Sequence, residues 1–293
     1  MNTRFKHLKL LIRRIVPVGA VEFLRVFPYY FTELFQSSVM AQGDIAVPPV
    51  WKMFDGPRNK RLFLESSEEA LRVYKNVGGL HPDSHMLDIG CGLGRKTLAL
   101  PGFLSRKARY IGVDIVRDGI DWCNDHIAAR HTNFIFLLLN VYNARYNKGA
   151  TIHASDYQFP FIDKSFDLVT AWSVFTHMQP GDVRNYLSET SRMLAPGGRC
   201  VFSFYIMTDE AKSAVRSKIA REKIEYEFAE SCFTDNKSAP EDLTAFGEDW
   251  IRAAFEASGL RIDEILYGSW VGDGRPRDFP LLNYQDIVVA SRA

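Results

Sequence analysis

Several features that mark whole classes of protein are scarce in this 293-residue chain. Its four cysteines, Cys91, Cys123, Cys200 and Cys232, form no C-x-x-C pair and have no histidines at metal-site spacing. That excludes a disulfide scaffold and a zinc ribbon, and it predicts a reducing, cytoplasmic setting with each thiol a small core or loop residue. Charge of one sign is not in excess either. With 36 Lys and Arg against 35 Asp and Glu, the formal charge is +1, so no extended nucleic-acid footprint is expected. No stretch reaches the roughly 18 uninterrupted apolar residues of a membrane span. The opening MNTRFKHLKLLIRRIV has no clean apolar run followed by a small-residue cleavage site, which predicts a soluble chain. Internal repeats and low-complexity linkers are also missing. What is present is a 46% hydrophobic sequence, enough to bury the core of one large domain with an appendage.

The elements alternate. SEEALRVYKN, residues 67–76, reads as a helix with a Ser-x-x-Glu-like start. HMLDIG is a short buried strand that breaks at glycine, and RKTLALPGFL is expected to be helical as far as Pro101. Then follow RYIGVDIV as a strand, GIDWCNDHIAARH as a helix, and NFIFLLLN and FDLVTAW as strands. PGDVRNYLSETSRML reads as a helix closing at Pro196-Gly197-Gly198, and RCVFSFYI as the fifth strand. After EDWIRAAFEASGL, a helix, LRIDEILYGSW and YQDIVVASR are two strands with only a loop between them, and therefore antiparallel. The pattern predicts an α/β fold: a doubly wound, mostly parallel seven-stranded sheet ending in an antiparallel hairpin.

Two segments lie outside the alternation. Residues 1–66 form an N-terminal helical arm or lid, leaving 67–293 as the main domain. Residues 207–247 are an insertion, expected as one helix, an extended piece and a polar loop. It emerges where open α/β sheets bind ligands, which makes it the candidate substrate cover.

Residues 85–95, HMLDIGCGLGR, place three glycines within five positions behind an acidic residue. Glycines at a strand-to-helix turn let a backbone approach a ligand, and the helix start offers free N–H groups. A dinucleotide binder uses G-x-G-x-x-G here, but the third glycine is Gly94 and the required position is Arg95. Asp88, two residues before the turn, is expected to repel a diphosphate and attract an ammonium, directly or through water. Gly90, Gly92 and Asp88 thus suit a nucleoside with a cationic or zwitterionic tail. Asp114, ending the second strand, can accept both hydroxyls of a ribose, or it can cap the next helix. Asn140, ending the third, can pair with an adenine edge or serve as a turn residue. Asp163 and Asp167 read as turn residues.

With these motifs in hand, the chain resembles the class I S-adenosylmethionine-dependent methyltransferases, in the branch labelled type 11 or type 25. HMLDIGCGLGR, YIGVDIV, FPFIDKSFDLV and MLAPGG carry the resemblance, strongly over residues 67–206 and moderately after 248. SVFTHM, residues 173–178, is similar to a feature of a bacterial subgroup. The resemblance implies a Rossmann-like fold with S-adenosyl-L-methionine as cofactor. By it the glycine loop, with Cys91 and Gly94, holds the methionine moiety, Asp114 and Ile115 the ribose, and Asn140 and Val141 the adenine, with Trp172 beside the pocket. One departure stands out: many relatives carry Asp where this chain has Asn140.

In-line displacement at a sulfonium methyl needs mainly a well-placed acceptor. A hydroxyl acceptor also loses a proton, and His177, just past the fourth strand in WSVFTHM, is the candidate general base. Its alternative is a helix-cap or cofactor-shell residue. His153, Asp156 and Tyr157 are weaker candidates, and Phe175 and Tyr205 are core or pocket-lining aromatics. The fourth strand is not followed by the Asn/Asp-Pro-Pro-aromatic box of amide and nucleobase methylating enzymes, which favours an oxygen acceptor on a small molecule, saccharide or lipid-linked compound. In residues 1–16, Phe5, Leu8, Leu11, Ile12 and Ile15 share one helical side, and Lys6, Lys9, Arg13 and Arg14 lie mainly off it. Such an arm is a lid, a partner surface or a peripheral membrane contact. The rival readings are a nucleotide-linked oxidoreductase and a non-catalytic module that binds the cofactor and docks through the arm.

Overall fold

The computed structural model describes residues 47–292; the basic arm of residues 1–16 lies outside them. The described residues fall into two units that part between Leu64 and Glu65. In the first, the Asn59 side chain accepts the Leu62 amide at 3.0 Å and so caps the first helix, α1, Lys60–Asn76. The helix therefore starts seven residues before the expected 67. The Ser67 hydroxyl, read as part of a start signal, accepts the Ala99 amide at 2.7 Å.

The second unit is built on seven strands. They are β1 His85–Ile89, β2 Arg109–Asp114, β3 Phe134–Leu138, β4 Phe166–Ala171, β5 Leu194–Phe204, β10 Leu260–Leu266 and β11 Asp286–Arg292. Their order across the sheet is β10-β11-β5-β4-β1-β2-β3. Strands β1 to β5 are parallel to their neighbours, while β11 runs antiparallel between β5 and β10. This is the expected doubly wound sheet with its terminal hairpin. The chain leaves β1 toward β2 on one side and reaches β4 on the other, so the order reverses at β1 and β4. Open α/β sheets bind ligands at the carboxyl ends of the strands flanking such a reversal.

The strands are buried on both faces, and alternate side chains enter different cores. Leu87, Ile89, Val113, Val169, Phe202 and Val288 meet Val183 and Leu187 of α3, Pro180–Met193, and Ile251 and Phe255 of α5, Glu248–Ala257. Met86, Tyr110, Leu168, Val201 and Val289 meet Val73 and Tyr74 of α1 and Ile120 of α2, Arg117–Cys123. All four cysteines are buried free thiols.

Two expectations fail in this unit. RKTLALPGFL is not an α-helix: Gly94, Thr97, Leu100 and Phe103 each donate three residues back, to Cys91, Gly94, Thr97 and Leu100. Gly94 is left-handed at φ 74°, and Pro101 has no amide to give, so tight turns replace the helical ladder. The insertion is also more ordered than predicted. Beyond β6, Ile206–Met207, and α4, Asp209–Arg216, it forms β7 Tyr226–Ala229, β8 Cys232–Thr234 and β9 Thr244–Gly247, a second sheet in the order β6-β9-β8-β7. Its own small core gathers Met207, Ala211, Val215, Ile224 and Ala245 around Tyr205 and Trp270.

Asp286 ties the two sheets together. Its fully buried carboxylate accepts the amides of Ile206 at 2.7 Å and Gly268 at 2.6 Å and the Trp270 indole N–H at 2.8 Å. Burial nevertheless raises its pKa to about 6. Asp286→Ala, which strands three buried donors, is expected to cost about 2–4 kcal/mol in chemical denaturation. The folded carboxyl holds its proton more tightly than the unfolded one. Wild-type stability therefore falls relative to Asp286→Ala as pH rises from about 4 to about 6, and the difference is constant above that.

Candidate active site

The glycine turn extends the β1–β2 ladder. The amides of Gly90 and Cys91 both donate to Val113 O, at 2.8 and 3.1 Å, and the Gly92 amide donates to Asp114 Oδ2 at 2.8 Å. Gly94 N is turned onto Cys91 O at 2.9 Å. Four amides of the turn are thus satisfied within the protein, and no α-helix begins behind them. A diphosphate-binding turn depends on those two features, free amides and a helix N-terminus. Gly90, at φ 76°, is glycine for a further reason: a Cβ there would lie 2.4 Å from Val174 Cγ2. The segment after β4 packs directly onto the turn.

Asp88 does not stand at the entrance, which corrects the expectation drawn from sequence. It is buried on the α1 side of the sheet, where Oδ1 accepts the Thr170 hydroxyl and Oδ2 the Tyr110 hydroxyl, each at 2.8 Å. Strand alternation explains the direction: Asp88 pairs with Thr170 across β4 and lies two residues from Met86, on the same face. Burial raises its pKa, and the two hydroxyls and Lys96 oppose the rise. Tyr110 in turn meets Thr97 Oγ1 at 2.8 Å, so the carboxylate anchors a polar network beneath the turn. Trp172 belongs to this interior as well. Its ring is buried in the α1-side core and donates its indole N–H to Tyr74 Oη at 3.0 Å, so the side chain is not beside the pocket as anticipated. Cys91 is buried on the same side, its thiol pKa pushed up by desolvation.

Asp114 closes β2 with both oxygens engaged, Oδ2 by Gly92 N and Oδ1 by Val116 N at 2.8 Å. It holds the turn and starts the α2 segment at once. Ile115 is half-buried beside it. Asn140 is exposed past the end of β3, and Val141 is buried next to it with its carbonyl accepting from Asn147 Nδ2.

His177 sits in a short turn, Phe175–His177, beneath the insertion. Its Nδ1 lies 3.1 Å from Glu241 O, and a carbonyl only accepts, so Nδ1 carries a hydrogen in this bond. Desolvation lowers its pKa and the charge of Arg145 adds to the fall, while the backbone of Glu241 and Asp242 and the Asp242 charge oppose it. The Tyr146 ring meets it edge-on at 6.0 Å. The insertion thus reaches over the segment after β4. His153, Asp156 and Tyr157 lie toward α3, where Asn185 Nδ2 holds the carbonyls of Ala154 and Tyr157 at 2.8 Å. Asp163 is paired with Arg192 at 2.7 Å in the turn before β4, whereas Asp167, read as a turn residue, is the second residue of β4 and accepts the His85 amide at the start of β1 at 2.7 Å.

One group escaped the sequence reading. Ser173, exposed at the end of β4, donates its hydroxyl to Gln285 Oε1 at 3.1 Å, and its amide donates to Ser203 Oγ at 2.7 Å. The Ser203 hydroxyl donates to the same Gln285 oxygen at 2.6 Å. Ser173 lay within SVFTHM, but no spacing rule links it to a glutamine 112 positions away.

These features define a class I methyltransferase fold: the reversal at β1 and β4, an acidic residue ending β2, and β11 inserted antiparallel next to β5. Residues 87–202 match the family model described as a methyltransferase domain. The demethylmenaquinone methyltransferase of Bacillus cereus is 25% identical over 122 residues, which are 42% of this chain and 45% of that protein. The chain thus spans under half the length of the curated relatives it matches. Among solved structures, the PH0226 protein of Pyrococcus horikoshii aligns with a TM-score of 0.53 at 18% identity, over 84% of this chain and 97% of that one. An S-adenosylmethionine-dependent methyltransferase of Leishmania major aligns at 0.51 and 13% identity, over 79% and 74%.

Asp114→Ala is expected to release the Gly92 and Val116 amides, lowering stability by about 1–2 kcal/mol. Hydrogen exchange should accelerate at Gly92 and leave Gly90 and Cys91, both held by Val113 O, protected.

Proposed function

We propose that the protein transfers a methyl group from S-adenosyl-L-methionine to an oxygen of a small-molecule, saccharide or lipid-linked acceptor. The observation that carries this reading is the inward-turned glycine loop with Asp114 beside it, inside a segment matched to the methyltransferase domain. A turn whose amides are already bonded tolerates an uncharged or zwitterionic neighbour and gives nothing to a diphosphate, which speaks against the oxidoreductase reading.

When bound, the cofactor supplies an electrophilic methyl on a sulfonium. The backbone of Gly90 to Gly94 lines its methionine end, and the buried charge of Asp88 acts on that end from below the turn. Asp114, at the carboxyl end of β2, meets the ribose hydroxyls, Ile115 packs beside the sugar, and Asn140 with Val141 faces the adenine. His177 receives the acceptor's proton at Nε2, its ring oriented by the bond from Nδ1–H to Glu241 O. The insertion excludes water above it. The interleaving of apolar and basic residues in the sequence of residues 1–16 supports peripheral contact with an anionic membrane and access to a lipid-linked acceptor. Among the described residues no helix is long and apolar enough to cross a membrane, and no cluster suits a metal ion.

S-adenosylhomocysteine is expected to raise the thermal midpoint, with NAD and ATP leaving it unchanged; a shift with NAD alone would contradict the proposal. His177→Ala is expected to lower kcat by about 10²–10⁴ with the affinity for S-adenosylhomocysteine preserved. The wild-type rate should fall as pH drops through a value below 6.5, where His177 protonates, and this acid limb should vanish in the variant.

A further inference from the structure

The backbone of Ser173 is left-handed at φ 57°, a conformation that costs a serine energy and that glycine adopts freely. Ser173 nevertheless exposes its side chain at the carboxyl end of β4, next to Val174, which touches the glycine turn. Its hydroxyl hydrogen is committed. Gln285 Oε1 accepts from both Ser173 and Ser203, and next to Gln285 in the chain the Tyr284 hydroxyl donates to the Glu222 carboxylate. With the serine hydrogen held inward, Ser173 Oγ presents only lone pairs to the open side.

We infer that Ser173 is the acceptor-reading residue of this site and that it selects an acceptor group bearing its own O–H, with Gln285 as the positioning residue. This inference rests on the methyltransferase reading and narrows it. The acceptor hydroxyl donates to Ser173 Oγ, which aims an oxygen lone pair at the methyl carbon. The new O–C bond forms as the C–S bond breaks and its electron pair goes to sulfur, giving S-adenosylhomocysteine. As the O–C bond forms, the hydroxyl lets go of Ser173 Oγ and gives its single proton to His177, so the serine places the group and the histidine takes the proton. A carbon acceptor has no hydrogen to offer and leaves the serine oxygen unmatched. A serine kept in a glycine conformation is accounted for by the hydroxyl it carries there.

The test separates function from structure. Ser173→Gly removes the hydroxyl and relieves the backbone, so its thermal midpoint should equal or exceed that of the wild type. Methyl transfer would be measured with catechol and methyl β-glucopyranoside as hydroxyl probes and dimethylallyl diphosphate as the carbon probe. We expect transfer to a hydroxyl probe, with kcat/KM lower by about 10- to 100-fold in Ser173→Gly and in Gln285→Leu. S-adenosylhomocysteine affinity should stay within about twofold, an effect smaller than one lost hydrogen bond. Failure of the wild type to bind S-adenosylhomocysteine would sink the methyltransferase reading itself. Binding accompanied by transfer to the carbon probe, by transfer to neither hydroxyl probe, or by an undiminished rate in Ser173→Gly would overturn this inference alone.

Discussion

The hydrogen bond from Gly92 N to Asp114 Oδ2 is the constraint on which the site depends. It joins the carboxyl ends of β1 and β2, and with the two amides given to Val113 O it turns the glycine loop into a continuation of the sheet. A loop whose donors are spent inside the protein cannot cradle an anion, whatever its glycine content. The same bond fixes the carboxylate of Asp114 against the turn, so one interaction sets both what the turn refuses and where the acidic end of β2 stands. The tight turns that replace the following α-helix act in the same direction, because they remove the helix end that would have favoured negative charge.

Beneath this turn lies Asp88, a buried carboxylate held by two hydroxyls, with the charge of Lys96 acting on it as well. Burying a charge is costly unless its oxygens are occupied, and the Tyr110 and Thr170 hydroxyls meet that need in part. At the other end of the site, Asp286 does comparable work with three N–H donors and fixes the insertion to the sheet that it covers.

The alternation of elements was legible in the sequence because strands buried on both faces are short apolar runs punctuated by glycine and proline, and β1 to β5 fall where those runs do. Periodicity could not foresee that RKTLALPGFL forgoes an α-helix, since Gly94 and Pro101 act through backbone geometry. The insertion was read as one helix, an extended piece and a polar loop, and its second sheet was missed because strands of three and four residues are too short to carry an alternating pattern. Within the site, Asp114 and His177 were singled out from their positions at strand ends. The direction of Asp88 was misjudged because the motif gives its place in the chain, and its face follows from pairing with β4. Trp172 was misplaced for the same reason. Gln285 and Glu222 were beyond reach, as only the folded sheet brings β11 and the insertion to the end of β4.

The central claim is that the turn keeps its amides and presents Asp114. A crystal structure of the protein with S-adenosylhomocysteine tests it most directly. The account predicts that Gly92 N stays on Asp114 Oδ2 while the ribose lies against the same residue at the end of β2. A complex in which Gly92 N leaves Asp114 to bind the ligand, or in which the ribose lies away from Asp114, would contradict it.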